Sequence, residues 1–257
     1  MTDVLRWAEL TRADLTERLP EAVVAIATGA TEQHGPHLAT GTDALLAQTV
    51  LERAAEHYRS HDGPARRTLI LAPTLSYGAS DHHLPFGGTL SLTPQTLLAV
   101  LVDICRSLTV DGGRRLLIVN GHGGNTGVCQ AAAGAAAARF DLDVGYLDYW
   151  APLLATGVAG LPADAVPGHA GAFETSLVSA VRPDLVFDPQ ERSGYPPNIP
   201  VAGLQVFSAR IWSDWEGYTD SPGLASAEVG GHLLDQLANA LAERIDAFAS
   251  YGSHPTT

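Results

Sequence analysis

Short apolar runs alternate with segments of helical spacing along most of the chain. The runs EAVVAIATG (21–29), RTLILAPTL (67–75), RRLLIVNG (114–121) and LDVGYLDYW (142–150) are each closed off within a few residues, as strands buried on both faces of a parallel sheet are. Between them, 43–59, 93–108 and 124–139 repeat apolar positions at helical intervals, and Pro94 suits a first helical turn. The βαβα order predicts a three-layer α/β/α sandwich around a mostly parallel sheet with right-handed crossovers. A further strand is expected in 206–215 and a closing amphipathic helix in 225–248. Segments 76–92, 151–168 and 189–200 break this rhythm with Gly and Pro, and the first two have the length of active-site loops. One domain over 1–257 accounts for the pattern.

Composition narrows the chemistry. With 257 residues and 46% hydrophobic content, the chain can bury a full core. A formal charge of −13 argues against nucleic-acid and anionic-membrane partners, which require clustered basic residues. All fifteen basic residues are Arg. Schiff-base catalysis, a Walker-type phosphate loop and a carbamylated-lysine metal bridge are therefore excluded. Cys105 and Cys129 fall in helical segments without CxxC spacing and read as buried, reduced thiols, which suits a cytoplasmic protein. The longest apolar stretches fall far short of the roughly 20 residues that a membrane span needs.

The polar clusters follow the ends of the inferred strands, where open α/β sheets place their functional groups. Glu32 and His34, two residues apart, share a side if the first strand continues extended, and Asp43 opens the next helix. NGHGGN (120–125) presents His122, and GHAGAFETS (168–176) supplies His169 and Glu174 at another helix start. Each has a plain structural reading alone: Asp43 as a helix cap, His122 as a hydrogen-bonded loop residue. Together, three segments deliver carboxylate and imidazole groups in the number that a divalent ion needs. NGHGGNTG also resembles a dinucleotide-binding loop, but Thr126 stands at the third glycine, and no GxSxG elbow is present.

In order and spacing, TEQHGPHLATGTD, NGHGGN and HAGAFETS resemble the signature blocks of the creatininase family of metal-dependent amidohydrolases, over roughly residues 23–181. The resemblance implies a creatininase-like three-layer fold, two divalent metal ions per chain and a homohexamer. It also implies hydrolysis of an amide, cyclic amide or formamide C–N bond by a metal-activated water. Glu32, His34, Asp43 and His122 match the family's metal ligands, with Asp43 in the bridging place, and His169 matches its proton-handling histidine. Zn, Mn and Fe(II) all accept such mixed ligands.

Two departures refine the expectation. Gly124 stands where creatininase proper carries an acidic ligand, so Glu174 is expected to complete the second metal site and to be needed for catalysis. Ala165 and Val166 stand in place of a substrate-gripping Trp-Asp pair, which argues against creatinine. The expected substrate is a small amide or a short peptide. A mycofactocin-type peptidase trimming a short peptide, and a non-catalytic metal-binding member, are the alternative readings. His82, His83 and Gly123 are candidates for substrate contact, with Asp81 beside them; solvated loop positions are the competing reading.

Overall fold

Strand β2 (Val23–Thr28) is buried along its whole length because it lies at the centre of the sheet with helices over both faces. The computed structural model describes residues 3–60, 67–154, 158, 160–161, 165–189 and 216–251. In chain order the elements are β1 (Val4–Arg6), α1 (Arg12–Arg18), β2, α2 (Thr42–Ser60), β3 (Leu69–Leu71), α3 (Pro94–Val110), β4 (Arg115–Asn120) and α4 (Thr126–Ala137). There follow β5 (Asp143–Asp148), α5 (Ala151–Leu154), α6 (Ala172–Val181) and α7 (Ala227–Ser250). The sheet is parallel throughout, in the order β1-β3-β2-β4-β5.

Side-chain alternation along the strands builds the three layers. Val23, Ala25 and Ala27 of β2, with Leu117 and Val119 of β4, face α2, α6 and α7 through Leu46, Val50, Phe173 and Leu237. Val24, Ile26, Leu116 and Ile118 point the other way, onto Leu97 and Leu101 of α3 and Ala132 of α4. Cys105 and Cys129 are buried free thiols in this second layer.

The expected strands and helices match the observed ones to within a few residues. The expected closing helix runs over Ala227–Ser250, and the 225–226 segment leads into it with Ser226 accepting from the Val229 N–H. Among the described residues three elements are additional, one of them the four-residue helix α5 in the segment expected to be an irregular connection. Edge strand β1 has only three residues, too short to show a period, and α1 starts on a capping box between Thr11 and Asp14. The expected strand at 206–215 and the connection at 190–200 lie outside the described residues.

The topology fixes where a site can form. From β2 the chain crosses by α2 to β3 on one side, then returns by α3 to β4 on the other. The carboxyl ends of β2 and β4, where Thr28 pairs with Asn120, therefore mark the switch point of the sheet. Gly29 lets the end of β2 press onto α2: a Cβ there would lie 2.4 Å from the backbone nitrogen of Ala44. That approach brings Asp43, in the first turn of α2, up to the strand ends.

Candidate metal centre

Six predicted residues meet above the switch point. Glu32 and His34 sit on the loop leaving β2, Asp43 on α2, His122 just beyond β4, and His169 and Glu174 around the start of α6. All are buried, Glu32 and His34 completely. His34 Nε2 lies 3.0 Å from Asp43 Oδ1 and 3.8 Å from Glu174 Oε2. His122 Nδ1 lies 3.2 Å from Glu32 Oε1 and 3.1 Å from Asp43 Oδ2, so Asp43 faces one histidine with each oxygen. His169 Nδ1 is 3.5 Å from Glu32 Oε1.

Backbone carbonyls settle which nitrogen of each ring carries the proton, since a carbonyl oxygen can only accept. The far nitrogens donate outward: His34 Nδ1 to the Glu32 carbonyl at 3.1 Å, His122 Nε2 to the Ala79 carbonyl at 3.2 Å, and His169 Nε2 to the Gln33 carbonyl at 3.0 Å. In the neutral rings the near nitrogens then turn lone pairs toward carboxylate oxygens. Lone pair against carboxylate is repulsive unless a cation stands between them. Both Glu32 oxygens are buried without a hydrogen bond, and Asp43 Oδ2 faces His122 without hydrogen-bond alignment. An uncompensated buried carboxylate costs several kcal/mol, so the donor set fits divalent metal. Among the described residues three clusters have the required spacing: Glu32, His34 and His169; Glu32, His82 and His122; and His34, Asp43 and Glu174.

Without metal, protons take up the same role. Burial disfavours a charged His34, but Asp43, Glu174 and Glu32 outweigh it and push the ring up to about 10. His122 is raised well above its ordinary value in the same way, against its burial, by Glu32 and Asp43. Burial would raise Asp43, yet His34 and His122 hold it below the usual carboxylate range. Glu174 is pushed up to about 8, first by burial and then by Asp43 and Glu32, against the pull of His34 and the Ala170 N–H. His169 moves the opposite way: burial, then His34 and His83, drive it well below its ordinary value and keep it neutral.

The chain around the centre is held by further groups. The Gln33 side chain donates to the Gly217 carbonyl at 2.5 Å and to His83 Nδ1 at 2.8 Å. Asn120 Nδ2, bonded to Asp148 at 2.7 Å, also donates to the His122 carbonyl at 2.7 Å. His37 Nε2 donates to the Ala170 carbonyl at 2.8 Å, and the Ala170 N–H donates to Glu174 Oε2 at 2.5 Å. Asp220 caps α6 through the Ala172 N–H at 2.9 Å. The visible signal for Gln33 was its place between Glu32 and His34; its partners come from distant loops.

The residues suggested for substrate contact separate. His83 is fully buried, its ring 4.1 Å from that of His169. His82 is half-buried and parallel to His122, with centroids 5.7 Å apart. Gly123 is exposed, with open space where a Cβ would point. Asp81 is exposed and accepts from the Ser91 hydroxyl at 2.6 Å. Ala165 is buried and Val166 packs against the core, so neither offers a polar side chain.

The family model described as Creatininase: Creatinine amidohydrolase matches residues 8–245. The chain belongs to the creatininase family. Membership places it among hydrolases of C–N bonds. A mycofactocin precursor peptide peptidase of Mycobacterium tuberculosis is 36% identical over 237 residues, covering 91% of this chain and 88% of that protein. A creatinine amidohydrolase of Pseudomonas putida is 32% identical over 249 residues, covering 88% and 89%. Among solved structures, one described as creatininase Mn superposes with a TM-score of 0.77 at 29% identity, covering 95% of this chain and 98% of that one. A creatininase mutant of Zn–Zn type gives 0.75 at 29% identity over the same shares. The creatininase three-layer α/β fold is thus this chain's fold. Among the described residues no helix is long and apolar enough to cross a membrane.

Proposed function

We propose that the chain is a dinuclear metal-dependent amidohydrolase whose substrate is a short peptide or a small amide other than creatinine. In this reading Glu32 and His122 would hold one ion and His34 and Glu174 the other, with Asp43 shared between them. The observation that carries it is the set of histidine rings whose far nitrogens are committed to carbonyls and whose near nitrogens face buried carboxylates. When bound, such a pair of ions supplies a water of lowered pKa and a Lewis-acid contact for the scissile carbonyl.

The chain's own groups handle the remaining work. His169 sets Nε2 against the Gln33 carbonyl and turns Nδ1 toward Glu32, so Nδ1 is the atom placed to take up a proton and pass it to a leaving nitrogen. The Ala170 N–H holds Glu174 Oε2 in place, and His37 holds the Ala170 carbonyl from the other side. Burial of all these groups excludes bulk water and strengthens each electrostatic contact.

The peptide reading is favoured by the likeness to the mycobacterial precursor-peptide peptidase and by the apolar pair Ala165 and Val166. The buried free thiols suit a reducing, cytoplasmic compartment. Family resemblance further supports a single domain and a homohexamer, which sedimentation measures. The deciding experiment strips the protein with chelator, reloads it with Zn(II), Mn(II) or Fe(II), and assays short peptides, formamides, lactams and creatinine. Metal-dependent release of an amine or a shortened peptide is expected. A fully reloaded protein inert on every class would sustain the non-catalytic alternative instead.

A further inference from the structure

We propose that His82 is a protein ligand of the ion held by Glu32 and His122, an imidazole brought to that position by the 76–92 loop. The proposal rests on the dinuclear reading above. Glu32, His82 and His122 offer ligand atoms that all lie within 4.8 Å of one another. The rings of His82 and His122 lie within 5° of parallel, with centroids 5.7 Å apart.

Gly124 is what lets His82 come so close to His122. A Cβ at 124 would lie 2.4 Å from the Ala79 carbonyl oxygen, 2.4 Å from His122 Nε2 and 3.1 Å from His82 Cε1. The first contact is with backbone and cannot be relieved by a side-chain rotation, so position 124 is closed to any side chain. The third shows that His82 lies against the same narrow gap beside His122, which any residue larger than Gly would fill. The loop is held firmly enough to present it: Ala79 N–H donates to Asn125 Oδ1 at 2.9 Å, Ser80 N–H to Ser91 Oγ at 2.8 Å, and Leu92 N–H to the Gly78 carbonyl at 2.8 Å. A ligand fixed by such outer contacts loses little freedom on binding metal.

A second imidazole changes what the centre selects. Glu32, His82, His122 and the shared Asp43 make a four-group set with two imidazoles and no second private carboxylate. Imidazole favours Zn(II) and Fe(II), whereas carboxylate-rich sets suit Mn(II). This ion position should therefore prefer Zn(II) over Mn(II) more strongly than the His34–Asp43–Glu174 position does.

Titration of chelator-stripped wild type, His82→Ala and His82→Gln with Zn(II) and with Mn(II) tests this directly. Wild type is expected to bind two ions per chain. Each variant should keep one affinity and weaken the other by about tenfold or more, with a smaller Zn(II)-over-Mn(II) preference at the weakened position. Unchanged affinities in both variants would overturn the assignment and return His82 to substrate contact. A wild type that binds only one ion refutes the dinuclear reading separately; His82 is then decided by whether that ion weakens in the variants. His82→Gln retains bulk, and its Co(II)-loaded NMR spectrum should lack one hyperfine-shifted imidazole N–H. An unchanged set of such signals also overturns the proposal.

Discussion

The carbonyl oxygen of Gln33 lies 3.0 Å from Nε2 of His169 and so decides that Nδ1 is the nitrogen turned toward Glu32. Removing the ring should remove proton transfer without opening the metal centre. His169→Ala is expected to lower kcat by about 10²-fold or more, the scale of a lost general acid or base, with metal content close to wild type. Loss of an ion together with His169 would make it a ligand, as its place beside Glu32 and His34 also permits geometrically.

Asp43 faces His34 with one oxygen and His122 with the other, whereas Glu32 faces His122 but not His34 at comparable range. Asp43→Asn should therefore cost more metal than Glu32→Gln after identical dialysis. Elemental analysis of both variants provides the comparison, and equal, small losses would count against a bridge.

Metal binding should release protons. In the metal-free chain His34 is pushed up to about 10 and Glu174 up to about 8, so both carry protons at neutral pH that a metal must displace. Affinity should rise with pH, and calorimetry in buffers of different ionisation enthalpy should detect the released protons. The shift also has a stability sign. His34 is raised from 6.5, so its contribution to the metal-free fold is complete below that value and lost as pH rises through about 10. Zero proton release on loading would remove His34 and Glu174 from the ligand set.

Gly29→Ala should be costly although it adds one carbon. The new Cβ would lie 2.4 Å from Ala44 N and 2.6 Å from Ala44 Cα, both backbone atoms of α2. Overpacking of this kind costs roughly 1–3 kcal/mol, so a lowered Tm and weaker metal retention are expected, since Asp43 must move with the helix. An unchanged Tm would show that the strand end yields freely.

How far the molecule could be read from its residues depended on the range of the forces involved. Strands β2 and β4 were visible because full burial writes a continuous apolar run. β1 left no such mark: half-buried Val4 and Leu5 and exposed Arg6 follow from an edge position that pairing with β3 defines. Glu32, His34, Asp43, His122, His169 and Glu174 could be gathered because each follows a strand end or opens a helix, and helix and strand order fixes those places. Gln33 could not, and His83, a candidate for substrate contact, could not be placed against His169. What brings them together is the return of the 76–92 loop, pinned where Leu90 N–H meets the Thr31 carbonyl and Gln33 N–H meets Thr89 Oγ1. Those bonds depend on tertiary docking, not local spacing.

The parallel, out-of-sequence sheet also dictates when the centre can come into being. Val24 must find Leu116 before the ends of β2 and β4 adjoin, and α6 must then settle against α2 and α7 to bring in Glu174. Such distant pairings form late and slowly. During synthesis, Glu32, His34 and Asp43 emerge as an incomplete set long before their partners. A metal that binds only the finished centre favours the native state by mass action. Where the ions must leave before the chain opens, the centre acts as a clasp on the last-formed contacts, and the lifetime of the native state is set by the rate of ion release.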